Sequence, residues 1–583
     1  MTSKTKTSPV LRFGAFELDA ENQDLRKGGV AVSINPQPLR LLQLLLQYPG
    51  QTVSREQIQK CLWGENTFVD VERGINFCIN QIRASLGDNA EKPRYVETVP
   101  RRGYRFVAPV EAEATSGSGA KGNSGRKEFR SIGVLPFENL SGDPTQDYFA
   151  DGMSEALTTE LGKISALRVI SRQSMVQYKG AKKTMPEIAR ELNVDTVVEG
   201  SVLRAGERIR VAVQLIEAEL DRHLWANSYE REARDVLALH GDVARNVVKK
   251  IKVTLTPQEE TRLGERRAIN PAANEAYFRG RYFLDRRTKE NLQQAFAAFQ
   301  QSIELDPRFA PAYASLAETH LSLSAYDPAH QQELFMRAKE ASLKALELDN
   351  TVSAAHYTLA VNHVSTWNWR SAEQSYLRAI EVNPSNASAH WWYADLLIMQ
   401  GRMKEAEAEL HRAEALNPVS LEIYWTAIAF HYYAHRYEEM IDRCQGLVKR
   451  NAALDWRYHH ALGAAYVQMG RYEEAVSELS EALKSSTMYE HTATEFANAL
   501  AVAGKREEAL RIMEGVKYVP WKTFGLALVH AGLGEKDEAV RCLEKAIELR
   551  APLVIVMKVD PRFELLRKNR RFGSLIRKMN LPE

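Results

Sequence analysis

At 583 residues the chain is too long for one core, and at roughly 100–200 residues per domain it predicts three to five structural units. Its 77 Lys and Arg nearly balance 75 Asp and Glu, for a net charge of +2, which excludes a uniformly basic coat: any nucleic-acid affinity must come from a local patch. The four cysteines, Cys61, Cys78, Cys444 and Cys542, form no CxxC pair, which argues against a disulfide framework or zinc site, and no apolar run approaches the roughly 20 residues of a membrane-spanning helix. The opening MTSKTKTSPV has no apolar segment of the secretory type. The expectation is a soluble cytoplasmic protein without membrane association.

Residues 1–110 hold fifteen Lys and Arg against eleven Asp and Glu, a local excess of positive charge. Leu11–Ile34 alternates apolar and polar residues in short runs broken by Gly14, Asp19–Asn22 and Gly28-Gly29, which predicts a small antiparallel sheet. A Leu-rich helix follows over Pro36–Tyr48. Ser54, with Gln57 three residues on, predicts a capped helix over Arg55–Trp63. A third helix spans Val71–Leu86 and is stopped by Gly87. Tyr95–Val107 reads as two strands around Pro100-Arg101-Arg102-Gly103, with Gly103 allowing a sharp turn.

In the third helix, Ile75, Ile79, Ile82 and Leu86 recur at spacings 4, 3, 4 and predict a buried stripe. Arg73, Asn76, Asn80 and Arg83 form a second row, and no acidic residue lies between Arg73 and Gly87. Such a helix suits the DNA major groove, where an amide can pair with adenine and an arginine with guanine or phosphate. Arg94, Arg101, Arg102 and Arg105 cluster on or beside the following hairpin, a basic tip able to straddle the backbone. A solvated helix face and solubilising arginines are the bland alternatives; they weaken because helix and hairpin are consecutive.

The order sheet, three helices, hairpin, with PQPLRLLQLLLQYPGQTVSREQI, WGENTFVD and YVETVPRRGYRFVAPV, resembles the OmpR/PhoB-type winged-helix effector domain over Phe13–Val110. The resemblance implies that Val71–Leu86 is the recognition helix and that the loop Trp63–Asp70 faces RNA polymerase. It implies helix-side DNA contacts at Asn76, Asn80, Gln81 and Arg83 and wing contacts at Arg102 and Arg105, with Tyr104 partly structural; Arg73 and Arg101 join them. It also implies transient homodimers on direct-repeat sites. Asn80 and Gln81 stand where many relatives carry basic residues, so base preference does not transfer. The usual phosphoacceptor receiver domain is not expected ahead of the effector.

Glu111–Lys127 is Gly/Ser/Ala-rich and predicts a flexible linker over 111–128. Residues 129–255 then predict a small α/β domain. Arg130–Phe137 reads as a buried strand, Tyr148–Lys163 as a helix, and Leu167–Ile170 as a short strand. Thr184 with Glu187 reads as a capping box opening a helix through Leu192; Thr196–Arg204 and Arg208–Glu217 read as a hairpin, and Val236–Lys250 as a helix. The acidic residues Glu138, Asp143, Asp147 and Asp151 read as turn and cap chemistry. The stretch resembles the TolB N-terminal-like domain, which accompanies bacterial cyclases and CadC-like regulators and brings no established catalytic residue.

Residues 270–583 are periodic near 34 residues: Ala360 and Ala394, Ala372 and Ala406, Ala379 and Ala413, Pro384 and Pro418. SIELDP, ALELDN, AIEVNP and AEALNP mark successive unit ends. The pattern resembles tetratricopeptide (TPR) repeats, about eight between Ala276 and Pro552, with a charged closing helix near Asp560–Met579. His431 and His435 are spaced i, i+4 but lack an HExxH glutamate. They read as packing or surface residues, as do Cys444 and Cys542, and Trp391-Trp392-Tyr393 reads as inter-helix core. No catalytic, cofactor or metal set is expected. The sequence thus predicts a multidomain chain: an α+β winged helix, a small α/β domain and an all-α TPR solenoid. Its expected role is DNA-binding transcription regulation, with the α/β and TPR parts taking a protein, peptide or small-molecule signal. The alternative is a TPR scaffold whose winged helix docks on protein.

Overall fold

The computed structural model describes residues 10–14, 16–19, 24–27, 30–32, 34–63, 71–90, 93–99, 102–108, 111–113, 129–206, 208–264, 269–327, 330–449 and 456–581. They fall into two units, residues 1–124 and 125–583.

In the first unit, strands β1 (Val10–Phe13), β2 (Phe16–Asp19), β3 (Asp24–Lys27) and β4 (Val30–Ala31) form the expected antiparallel sheet. Helix α1 (Pro36–Gln47) follows, then strand β5 (Thr52–Ser54), α2 (Arg55–Trp63), α3 (Val71–Leu86), and strands β6 (Val96–Val99), β7 (Gly103–Phe106) and β8 (Glu111–Glu113). Two strands lie outside the expectation. β5 adds to β7, making the wing a three-stranded sheet, and β8 pairs with β1, so the start of the expected linker is bound into the first sheet. Residues 114–128 of that linker lie outside the described residues. Ser54 and Gln57 form the capping box: the Gln57 amide N–H donates to Ser54 Oγ and Ser54 N–H to Gln57 Oε1. Ile75, Ile79, Ile82 and Leu86 are all buried, packed with Leu42, Leu45 and Phe106.

The second unit begins with strands β9 (Ser131–Val134) and β10 (Glu138–Asn139), helix α4 (Asp147–Gly162), β11 (Arg168–Val169), α5 (Arg172–Val176) and α6 (Met185–Leu192). Strands β12 (Thr196–Ala205), β13 (Arg208–Glu217) and β14 (Arg222–Glu232) and helices α7 (Val236–Ile251) and α8 (Pro257–Gly264) complete the α/β part. The sheet order is β11-β9-β12-β13-β14, parallel over its first three strands and antiparallel beyond, with β10 also on β12. Thr184 and Glu187 cap α6 as expected, with Thr184 N–H donating to the Glu187 carboxylate at 2.7 Å. The Asp143 side chain accepts from Thr145 N–H and Asp147 accepts from the Asn139 amide, which is turn and cap chemistry. Asp151 instead faces Lys179 and Arg172.

The solenoid is eight helix pairs among the described residues. They are α9 (Pro271–Leu284) with α10 (Lys289–Leu305), α11 (Ala310–Ser324) with α12 (Gln331–Leu348), α13 (Ser353–Ser365) with α14 (Trp369–Val382), and α15 (Ala387–Gln400) with α16 (Met403–Leu416). Then come α17 (Leu421–Tyr433) with α18 (Tyr437–Lys449), α19 (Trp456–Gln468) with α20 (Tyr472–Ser485), α21 (Tyr489–Val502) with α22 (Arg506–Gly515), and α23 (Val519–Gly532) with α24 (Lys536–Glu548). The phase-matched alanines are its tight contacts: Ala360, Ala372, Ala379, Ala394, Ala406 and Ala413 are fully buried.

The α/β part and the solenoid share one core. Phe149 and Met153 of α4 join Phe278, Phe309 and Ala312 in a single apolar cluster. Gly152 permits this approach, since a Cβ there would stand 2.3 Å from the Phe278 ring. Arg281 is half-buried between Glu155 of α4 and Glu318 of α11, at 2.6 and 2.8 Å. The repeat-end loops form a second seam: Ser171 N–H donates to the Leu416 carbonyl, Val169 N–H to Ser385 Oγ, and Ser174 Oγ to Asn417 Oδ1.

The expected closing helix is not one helix. Asp560 caps a short 3₁₀ turn at Pro561–Leu566, and Asn569 caps a separate helix, α25 (Arg570–Lys578). Nor is this end a polar cap. Phe563, Leu566, Phe572, Leu575 and Met579 are buried against the middle of the solenoid. Trp369 Nε1 donates to the Met579 carbonyl at 2.7 Å, Arg550 to the Ser365 carbonyl, and Lys558 to the Gln400 carbonyl. The C-terminal segment therefore lies across repeats whose sequence positions are some 200 residues earlier. No helix among the described residues is long and apolar enough to cross a membrane.

Candidate nucleic-acid interface

Helix α3 is anchored by its isoleucine stripe and exposes Asn76, Phe77, Asn80 and Ala84, with Gln81 half-buried at the margin. Phe77 is 56 % exposed, a large apolar ring on a helix whose Ile75, Cys78, Ile79, Ile82 and Leu86 are buried. The sequence reading passed over it because an aromatic in an Ile-rich helix reads as core. On a groove-facing helix such a ring suits apolar contact with a thymine methyl.

Arg83 is a correction. It is buried, and its Nη2 donates to the Val96 carbonyl and to Thr98 Oγ1, both at 2.9 Å. The guanidinium fastens α3 to β6 and is not presented with Asn76 and Asn80. Asp88, just after α3, makes a second clamp by accepting from the N–H groups of Arg94, Tyr95 and Val96. Tyr104 makes a third. Its ring is buried, Arg55 lies 5.7 Å above it, and its hydroxyl donates to Asn76 Oδ1 at 2.7 Å.

On the wing, Arg102 is exposed at the turn, and Arg105 is half-exposed with Nε 3.5 Å from the Glu97 carboxylate. A surface pair of this kind is worth about 0–1 kcal/mol, so Arg105 is readily released to a phosphate. Gly103 is not the turn residue but the first residue of β7, opposite Ser54. A Cβ on it would sit 2.0 Å from the Val53 carbonyl oxygen, so the close approach of β5 requires glycine. Arg101, the Arg73 side chain and loop residues 64–70 lie outside the described residues.

Three side-chain ties thus hold the hairpin to the helix, so amide-bearing helix and arginine-bearing wing form one rigid surface. Residues 29–106 match the family model described as transcriptional regulatory protein, C terminal. The N-terminal unit carries an OmpR/PhoB-type DNA-binding domain. Tetratricopeptide models match residues 357–420, 457–486 and 524–552 of the solenoid. Among curated proteins, the chain is 35 % identical over 357 residues to one of Rhizobium meliloti named "Putative adenylate cyclase 3", covering 60 % of this chain and 57 % of that one. It is 23 % identical over 342 residues to the transcriptional regulator HilA of Salmonella typhimurium, covering 58 % of each. The match therefore spans under three-fifths of the length of either relative. The solved DNA-binding domain of Klebsiella pneumoniae RstA, in complex with the RstA box, is 30 % identical, covering 16 % of this chain and 94 % of that one with a TM-score of 0.15.

The histidines, cysteine and tryptophans set aside in the solenoid have the following neighbours. His431 lies 3.3 Å from the Glu439 carboxylate, while His435 Nδ1 pairs with the Tyr437 hydroxyl. Cys444 is fully buried and its thiol is pushed up to about 12 by desolvation, the opposite of what a nucleophile needs. The Trp391 and Trp392 rings lie tilted to each other with centroids 4.6 Å apart, and Trp391 Nε1 donates to Thr426.

Proposed function

We propose that this chain is a cytoplasmic transcription regulator, not an enzyme, that reads double-stranded DNA with α3 and the β6–β7 wing. The carrying observation is the fastening of the wing to α3 through Tyr104–Asn76 and Arg83–Thr98. Asn80 and Phe77 are assigned to base edges, and Asn76 and Gln81 to the flank of the same groove. Arg102 and Arg105, with Arg73 and Arg101, are assigned to phosphate or the minor groove. Self-association on direct-repeat sites and contact of the 63–70 loop with RNA polymerase belong to this reading. So does a TolB N-terminal-like assignment for residues 129–255.

The body formed by α/β part and solenoid is assigned the input. Because the chain's own C-terminal segment covers the middle repeats, a small molecule is favoured over an extended peptide. A cavity of about 830 Å³ bounded by Tyr357, Trp367, Tyr376, Trp392, Asp395 and Arg550 is of ligand size.

The test is selection of genomic fragments by the full chain, followed by affinity measurements across salt. Asn80→Ala should cost roughly 1–3 kcal/mol on the selected site and relax one base position. Arg102→Ala should weaken all sequences alike and lower the salt slope by about one. Failure of the intact protein to select any sequence would overturn the assignment and leave the scaffold reading.

A further inference from the structure

On the inner helices of repeats six and seven, His460 of α19 and His491 and Glu495 of α21 each bring one donor atom to within 4.8 Å of the others. His491 and Glu495 are one helical turn apart, the spacing by which two side chains on one face chelate an ion. The two imidazole rings lie 4.7 Å apart between centroids. His460 Nε2 and His491 Nδ1 are buried and accept or donate no hydrogen bond among the described residues. A buried polar atom without a partner is costly and rare, and two on neighbouring rings call for a third party.

Charge points the same way. Glu495, Asp560 and Arg562 are all buried, and Arg562 is paired with both carboxylates. One guanidinium against two carboxylates leaves a buried excess of one negative charge. Trp456, 5.8 Å from His460, and Trp521, 5.3 Å from His491, wall the space with aromatic surface.

We propose that His460, His491 and Glu495 form a binding site for one divalent transition-metal ion of the zinc class. Two imidazoles and a carboxylate are the borderline donor set such ions prefer over calcium or magnesium. The donors close by an ångström or so on loading, a side-chain adjustment. Arg562 holds Glu495 from behind as an outer-shell partner. Three protein ligands leave a coordination position open, as in sites that exchange a ligand rather than purely structural ones. Because Arg562 belongs to the C-terminal segment, occupancy would join α19, α21 and that segment through one ion. The inference stands independently of the DNA-binding assignment.

The experiment uses the full chain stripped with a chelator, titrated with Co²⁺ followed by its visible absorption, and with Zn²⁺ in competition with a chromophoric chelator. One equivalent should bind with a tetrahedral or five-coordinate Co²⁺ spectrum, and thermal stability should rise with Zn²⁺. His460→Gln and His491→Gln, checked for native circular dichroism, should each weaken binding at least about tenfold. His459→Gln, at the neighbouring His459–Glu478 pair, should leave it unchanged. Absence of stoichiometric binding by the intact chain, or equal binding by a folded His460→Gln/His491→Gln double variant, would overturn the proposal.

Discussion

The Tyr104 hydroxyl, buried on the wing strand, donates to Oδ1 of Asn76 on the exposed face of α3 at 2.7 Å. The bond takes one lone pair of the amide oxygen and sets the amide plane, so the wing fixes the orientation in which Asn76 is presented. Tyr104→Phe keeps the ring and removes this bond. We expect a loss of about 0.5–1.5 kcal/mol in stability of the first unit. A several-fold drop in affinity for a selected DNA site should accompany it, since Asn76 would then be free to rotate. Unchanged affinity in mobility-shift titrations would mean that Asn76 takes no part in reading.

Arg83 is expected to act on folding and not on reading. Its two bonds to β6 are charge-assisted and buried, so Arg83→Met should destabilise the first unit by about 1.5–3 kcal/mol. At temperatures where the variant remains folded, the salt dependence of DNA binding should match that of the parent, because no phosphate contact has gone. A salt slope reduced by about one would return Arg83 to the DNA-contacting set.

The contrast between Arg83 and Asn80 marks where sequence reasoning stops. Spacing places both on the polar side of α3, and the Ile75–Leu86 stripe, the 196–217 hairpin and the 34-residue phase of the alanines were all legible as periodicities. An arginine three residues past an exposed asparagine looks the same whether its tip meets water or reaches a carbonyl thirteen residues on. Strands too short to alternate were invisible for the same reason: Thr52–Ser54 and Glu111–Glu113 hold three residues each. β14 was missed because it is polar; along RHLWANSYERE only Tyr229 is buried. The C-terminal segment hid behind 3₁₀ pieces whose apolar residues have no helical period. The His460–His491–Glu495 group needs two helices to be brought together, although His491 and Glu495 alone carried the i, i+4 signal.

Gly152 tests the continuity of the α/β part with the solenoid. A methyl group there meets the Phe278 ring near its root, where rotation gives little relief. Gly152→Ala should cost about 1–3 kcal/mol through overpacking. If α/β part and repeats fold as one cooperative body, thermal unfolding of the second unit should shift as a single transition. Two separated transitions, one of them unshifted, would show that the shared core around Phe149 and Phe278 does not couple the two.

Asp395 gives the molecule a pH dependence of defined sign. Its carboxyl lines the large solenoid cavity, and burial alone raises its pKa to about 6. The folded state therefore binds this proton more tightly than the unfolded chain, whose carboxyl titrates near 3.9. Between those values the folded protein holds more protons, so this group's contribution improves as pH falls through about 6 and is complete below about 4; above about 6 the ionised carboxylate is a standing cost. Asp395→Asn removes the charge and nearly keeps the shape. It should melt several degrees higher than the parent at about pH 8, with the difference shrinking through pH 6 and vanishing near pH 4. Other groups titrate in the same window, His240 among them, its imidazole held down to about 4 by burial, but they are common to both proteins and drop out of the comparison. A constant difference across that range would mean the carboxyl is solvated through the cavity mouth, and a lower melting temperature for the asparagine variant at high pH would mean the carboxylate has a cationic partner.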